Sequence, residues 1–420
     1  MTTSEALTSP PGQAFVWIWL PAAAEPVVAG QVQIVDGRHR FIYGRSYLNH
    51  PDAISLYGPE LPLRQGWLEP PEGLDMAGCL WDASPDSWGQ RVIDIRLAGG
   101  RHGDEADLVE ATKLTYLLES GSDRTGALDF QRSASEYAPR MEDASLDELH
   151  EIAQAVERGD LSKVLSDAFV DGTAVGGARP KVLIRDNPTS WIAKLSLSND
   201  RYPVVKAEAV AMALAGRVGI DVPKTKVTTS LGRDVLMVER FDRLAGGRRR
   251  MMVSALTMLG FGDFLGARYS SYVEILDVLR RYGRRGETAG RELLERIVFN
   301  IAVGNIDDHA RNHAAFWDGR ELELTPAYDV CPQVRSGTEA RQAMDISADG
   351  RRDSRFAVCV DAASSYGMSA QDAREIIDRQ VTKIREDWQD VADEAGLTVD
   401  ERQYLWGRQI LNKYAFEGYH

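Results

Sequence analysis

The spacing of hydrophobic residues changes along this chain, and that change limits the folds open to it. Through residues 173–242 short runs (PKVLIRD, WIAKLSL, KVTTS and VLMVERF) read as strands divided by the turn-forming stretches NPTS and LGRD. Apolar residues at alternate positions put one face of a strand toward a core. One helix-patterned stretch, VVKAEAVAMALAGRVGI (204–220), interrupts them. From residue 253 onward the period lengthens to that of a helix, in SYVEILDVLRRYG, RELLERIVFNIAVGN and AREIIDRQVTKIREDWQDVADEAG, with no repeat of fixed length. A β-rich lobe carrying one helix, followed by a mostly helical lobe, is an α+β, two-lobed layout.

Ahead of this region lie three strand-like pieces, FVWIWL, VVAGQVQIV and HRFIYG, a Pro-rich stretch, GPELPLRQGWLEPPEG, and a helical pattern, DSWGQRVIDIRLA. The polar segment 133–160 then mixes a linker with an acidic amphipathic helix for which Ser145 is the expected N-cap. The divisions expected from these shifts are a tail at 1–13, an α+β subdomain at 14–125, a linker helix and β-rich lobe at 126–241, and a helical lobe at 242–420. A chain of 420 residues with 44% hydrophobic content can bury a core in each. Its net charge of −14 argues against coating nucleic acid by bulk electrostatics. Three cysteines without paired spacing indicate neither a disulfide framework nor a CxxC metal site, and a reducing, cytoplasmic setting is expected. The start, MTTSEALTSPPGQ, lacks a basic signal region, and FVWIWLPAAA is too short to span a bilayer, so no membrane role is expected. The basic run Arg248–Arg250 reads as an exposed turn.

The densest polar cluster follows the most apolar helical run. LLERIVFNIAV (293–303) reads as a buried helix whose C-terminal end delivers the stretch NIDDHARNH, with Asp307, Asp308 and His309 in consecutive positions. Asp307 precedes Asn312 by five residues, the interval between the base and the metal-binding Asn of kinase catalytic loops; Asp308 would be one residue too near. Downstream, ELELTPAYDV (321–330) reads as a strand ending in Asp329, a carboxylate suited to a second metal ligand. Upstream, the glycines of DGTAVGGARPKV (171–182) would let backbone N–H groups approach phosphate oxygens, although the spacing is not that of a simple P-loop. Lys194, in the middle of a strand, wants a phosphate and a carboxylate, for which Glu208 on the next helix is the best-placed partner. Glu239, Arg240 and Phe241 end the β-rich lobe where a hinge would present backbone groups to an adenine.

The series GGARPK, IAKLS, VERFDR, NIDDHARNH and LTPAYDV, in that order, resembles the HipA family of serine/threonine kinases, and the likeness extends over most of residues 14–390. The resemblance implies a protein-kinase-like fold with ATP and Mg²⁺ as cofactors. It implies Asp307 as catalytic base, and Asn312 and Asp329 as Mg²⁺ ligands. His309 and Arg311 would be loop residues near the phosphates and Lys194 the phosphate-binding lysine. Gly176, Gly177, Ala178, Arg179 and Lys181 would belong to the nucleotide loop, and Glu239 to Phe241 to the hinge. Family members phosphorylate components of translation, aminoacyl-tRNA synthetases among them, and are restrained by a HipB-like helix-turn-helix antitoxin that binds operator DNA. One departure is plain. Where many relatives carry an autophosphorylated Ser in the glycine-rich loop this chain has Ala174, with Thr173 one residue earlier.

Two other readings compete. A metal-dependent phosphohydrolase could use Asp307, Asp308, His309 and His313, since the two histidines would share a face if the segment were helical. A pseudokinase would bind nucleotide without transfer. The first leaves Lys194 and Asp329 idle, and the second leaves a full set of catalytic residue types unexplained.

Overall fold

The computed structural model describes residues 10–97, 111–141, 144–158, 179–186, 189–262, 265–266, 269–335, 337 and 339–420. The chain divides into two compact units: residues 1–195, 230–232 and 242–252 form the first, and residues 196–229, 233–241 and 253–420 the second.

The first unit is built on a four-stranded antiparallel sheet of β1 (Gln13–Ile18), β2 (Val27–Val35), β3 (Arg38–Tyr43) and β4 (Leu128–Gln131), ordered β3-β2-β1-β4. Helices α1 (Ser87–Leu97) and α2 (Lys113–Glu119) belong to it, α2 being opened by a capping box on Thr112. Beside the sheet's apolar core lies a buried polar group centred on Arg124 and Asp129. The Arg124 side chain has no exposure, and it donates to Asp129 at 2.8 Å, to the Ser120 hydroxyl at 2.7 Å and to main-chain carbonyls, so nearly all of its donors are used inside. Arg243 does the same for its neighbourhood, donating to Asp123, Asp242 and the Gly126 carbonyl. The run Arg248–Arg250, expected as an exposed turn, is only half-buried at each position, and Arg249 lies 3.5 Å over the Trp19 ring while donating to the Ser122 carbonyl. A guanidinium stacks on an aromatic face while its edge keeps a hydrogen bond, and this shields part of it from solvent.

Helix α3 (Leu146–Arg158) begins where the sequence places it: Ser145 and Glu148 exchange hydrogen bonds in a capping box. It is followed in this unit by the antiparallel pair β5 (Lys181–Asp186) and β6 (Thr189–Leu195).

The second unit holds the rest of the helical pattern. Helix α4 (Val204–Arg217) precedes the neighbouring strands β7 (Thr225–Ser230) and β8 (Arg233–Glu239). Helices α5 (Tyr272–Tyr282), α6 (Gly286–Val303) and α7 (Ala370–Glu394) supply most of the core. Ser271 caps α5, and a capping box on Ser369 opens α7. Two short strands that the periodicity did not show, β9 (Met252–Ser254) and β10 (Ala314–Trp317), form a sheet with β11 (Leu322–Leu324), which lies within the expected strand 321–330; the order is β11-β10-β9. Strand β10 is buried at every position, so it lacks the alternation that marks a half-exposed strand. The strand expected to run to Asp329 stops at Leu324. Thr325 still donates to the Ala314 carbonyl, but Pro326 has no N–H to continue the ladder, and Ala327 donates to Asp221 instead. No helix among the described residues is long and apolar enough to cross a membrane.

Candidate active site

The site is organised from the end of α6, buried along its last eight residues. Gly304 ends the helix in the left-handed conformation at φ 74°, where its N–H and that of Asn305 close back onto the Ile301 and Asn300 carbonyls. A Cβ at this position would stand 2.7 Å from the Gln409 carbonyl oxygen, so the close approach as well as the φ requires glycine.

Beyond the cap, the two adjacent aspartates turn opposite ways. Asp308 is buried at 3% exposure, and its Oδ2 accepts from the Tyr272 hydroxyl at 2.5 Å, Asn300 Nδ2 at 2.8 Å and His313 Nε2 at 2.8 Å. A carboxylate can only accept, so the His313 proton sits on Nε2. Burial, and then Asp308, push the Tyr272 hydroxyl well above its usual pKa, so it remains a donor. The Asn300 amide is itself held by Asn305, whose Nδ2 donates to Asn300 Oδ1 at 3.0 Å. Asp308 thus joins α5, α6 and the start of β10.

Asp307 faces solvent. Its carboxyl is nonetheless held above the usual carboxylate range, first because neighbouring chain displaces part of its water. Asp329 and Asp308 add to the rise, and His309 opposes it. Its main-chain oxygen accepts from Asn312 Nδ2 at 3.2 Å, which leaves the Asn312 carbonyl oxygen available to a ligand. His309 leads in extended conformation into a single 3-10 turn, Ala310–Asn312, and His313 follows, also extended. The two histidines therefore do not share a helical face, and among the described residues no three His, Cys, Asp or Glu side chains gather as a metal site. The geometry of the phosphohydrolase reading is absent there.

Asp329 has φ 59°, a left-handed conformation uncommon outside glycine, and it lies within electrostatic reach of Asp307. Its neighbour Tyr328 donates to the Arg311 carbonyl at 2.8 Å, tying this segment to the loop. Phe241 packs against the same corner, 5.8 Å from the Tyr328 ring and edge-on to Phe316 at 5.9 Å. Arg240 is buried, and Glu239 lies 3.5 Å from Lys224.

Asp307, His309, Arg311, Asn312, Asp329 and Glu239 to Phe241 all belong to the second unit, as does Glu208, buried on α4. Arg179, Lys181 and Lys194 belong to the first, where Lys181 on β5 stands directly opposite Lys194 on β6. Opposed residues of an antiparallel pair share a face, so two cations are concentrated there. Thr173, Ala174, Gly176, Gly177 and Ala178 lie outside the described residues. Sequence reasoning missed the supports of the site, Tyr272 and Asn300. No local signal marks them, because each acquires its role by meeting Asp308 in space.

Residues 173–388, more than half of the chain, match the family model of the HipA-like C-terminal domain. The chain belongs to that family. Among curated relatives it is 27% identical to the Y4mE protein of Sinorhizobium fredii over 195 residues, 44% of this chain and 45% of that protein. It is also 27% identical to the serine/threonine-protein kinase toxin HipA of Shewanella oneidensis over 183 residues, 37% of this chain and 42% of the toxin. The matches thus span less than half the length of either relative. The fold likeness reaches further. A chain of the solved complex of the Shewanella oneidensis toxin–antitoxin system HipA, HipB and its operator DNA superposes with a TM-score of 0.67. That match covers 91% of this chain and 94% of that one at 19% sequence identity. The α+β fold of this protein is HipA-like.

Proposed function

We propose that this protein is an ATP- and Mg²⁺-dependent kinase that transfers a phosphoryl group to a serine or threonine hydroxyl of another protein. The observation that carries the reading is the division of labour between adjacent carboxylates. Asp308 is consumed by three internal donors, whereas Asp307 is exposed and has a raised affinity for protons beside Asp329. A carboxylate so placed suits a base that takes a proton from a substrate hydroxyl.

The residues present fit the cofactor. Asn312 and Asp329 offer oxygen donors of the kind Mg²⁺ takes, and the repulsion that raises Asp307 marks an excess of negative charge that a cation offsets. Mg²⁺-ATP, when bound, supplies the phosphoryl group and a divalent charge at the oxygens where negative charge develops. Lys194 and Lys181 would attract the phosphates, the backbone of Gly176–Ala178 would approach them, and the segment from Glu239 to Phe241 would meet the adenine. The rigid Asp308 junction holds the base in place, which is the positioning on which phosphoryl transfer depends. On this reading residues 126–241 form the nucleotide-binding lobe and 242–420 the catalytic lobe. The family relationship supports a toxin acting on a translation component, such as an aminoacyl-tRNA synthetase, and restrained by a HipB-like antitoxin.

Transfer of labelled γ-phosphate to proteins of a cell extract tests the assignment, with phosphoproteomics to identify acceptors. Asp307→Asn should lower transfer by about a hundredfold to ten-thousandfold while leaving ATP binding intact. Wild-type transfer in that variant would remove Asp307 from the role of base.

A further inference from the structure

Away from the Asp307 loop, one cation of the second unit stands without the partners a charge requires. Arg335 is 7% exposed, and its Nε, Nη1 and Nη2 are all buried with no hydrogen-bond partner among the described residues. A guanidinium keeps its charge and carries five N–H donors, so a buried one is normally paired or bound to an anion. Burial pulls its pKa down, with Tyr414 acting the other way.

The surroundings are short of anions. Arg355 lies 5.8 Å from the Tyr414 ring, and its Nε is also buried and unpartnered. Asp353 is shared. Arg341 and Arg355 each approach it only to 3.8 Å, and Tyr414 donates to it at 3.4 Å. These ion pairs are longer than hydrogen bonds. Glu339 is the other carboxylate that acts on Tyr414, and it is exposed. Arg341 and Arg355 therefore share Asp353, and Arg335, the most buried of the three guanidinium groups, has no carboxylate partner among the described residues.

We propose that Arg335, Arg355 and Arg341 form a receptor for a tetrahedral oxyanion of the phosphate class, seated beside Tyr414. The forked donors of Arg335 and the free Nε of Arg355 match an ion with several acceptor oxygens and two charges. Arg341, 76% exposed, extends the site to the surface. Occupancy would tie the segment that runs from Asp329 to Arg335 to the C-terminal end of the chain. The inference does not depend on the kinase reading.

The phosphate has two sources, a free ion or a phosphoryl group on a protein side chain, and one experiment covers both. The full chain, before and after phosphatase treatment and with intact mass recorded, is melted in inorganic phosphate and in sodium chloride of equal ionic strength. Wild type should gain about a hundredfold in its folded-to-unfolded ratio at a hundred times the dissociation constant. Asp329→Asn should keep that gain, which separates this site from any phosphate bound beside the metal ligands. Arg335→Met should lose it and should melt no lower than wild type in phosphate-free buffer, because an unpaired buried charge has gone. Arg335→Lys, which keeps the charge without the fork, should weaken it. A response that appears only after phosphatase treatment identifies a phosphoryl group on the chain as the natural occupant, and an immediate response identifies the free ion. The proposal is overturned if wild type shows no phosphate-specific shift, if Arg335→Met retains it, or if both Arg335 variants melt well below wild type without phosphate.

Discussion

Replacing Asp308 with alanine removes the acceptor shared by Tyr272, Asn300 and His313, which are 0%, 3% and 3% exposed. Each donor left buried without a partner costs about 1–3 kcal/mol. Tyr272 has a partial substitute in the Asp308 carbonyl at 3.4 Å, but Asn300 is pinned by Asn305 and cannot turn to a new acceptor. Losing the buried carboxylate charge offsets part of the total. The expected net cost is about 3–5 kcal/mol, the usual penalty for removing one member of a buried, charged cluster. Asp307→Ala is the control. Its carboxyl is exposed and held above its ordinary pKa, so the charged form is disfavoured in the folded state, and stability at neutral pH should be unchanged or higher. Denaturant unfolding of both variants, followed by helical signal, reads the difference in midpoint at constant slope. Losses of equal size in the two variants, or a loss under about 1 kcal/mol for Asp308→Ala, would refute the division of roles between the neighbours.

Three further outcomes follow from particular contacts. Glu60 is pushed up to about 7 by burial, even though the Gly78 and Cys79 N–H groups, which donate to it, favour the ionised form. A folded pKa above the unfolded one gives stability that is complete below about 4.5 and lost as pH rises through about 7. Wild type should therefore lose up to about 3 kcal/mol over that window relative to Glu60→Gln, and parallel pH profiles would contradict it. Gly304→Ala should cost more than the roughly 1 kcal/mol of a left-handed alanine, because its Cβ also meets the Gln409 carbonyl; a smaller change in midpoint would mean that the two segments separate easily. Saturating Mg²⁺-ATP at about a hundred times its dissociation constant should stabilise wild type by about 2.7 kcal/mol in thermal melts. Asp329→Asn should lose the Mg²⁺-dependent part and Lys194→Ala most of the whole; a full Mg²⁺-dependent shift in Asp329→Asn would exclude that residue as a ligand.

Much of the local structure was legible in the sequence, because its determinants are close together along the chain. The N-cap expected at Ser145 bonds Glu148 only three positions away, and the periodicities of α4, α5, α6 and α7 come from side chains one turn apart. The five-residue interval from Asp307 to Asn312 is likewise local, and in the fold one hydrogen bond spans it. Other features depended on residues that only folding brings together. Nothing in NIDDH separates the two aspartates by burial; Asp308 is internal because Tyr272, 36 positions away, and His313 arrive at the same oxygen. The strand read as reaching Asp329 ends early because Pro326 breaks the ladder and Asp221 captures the next N–H, leaving Asp329 in a left-handed turn. Nothing in the sequence around Arg335 marks it as buried; its low exposure and the nearby Tyr414, 79 positions away, come only with folding. Hydrogen-bond geometry and desolvation act through space, so spacing along the chain could nominate these groups, but only the packing of distant segments determined which were buried, paired or left without partners.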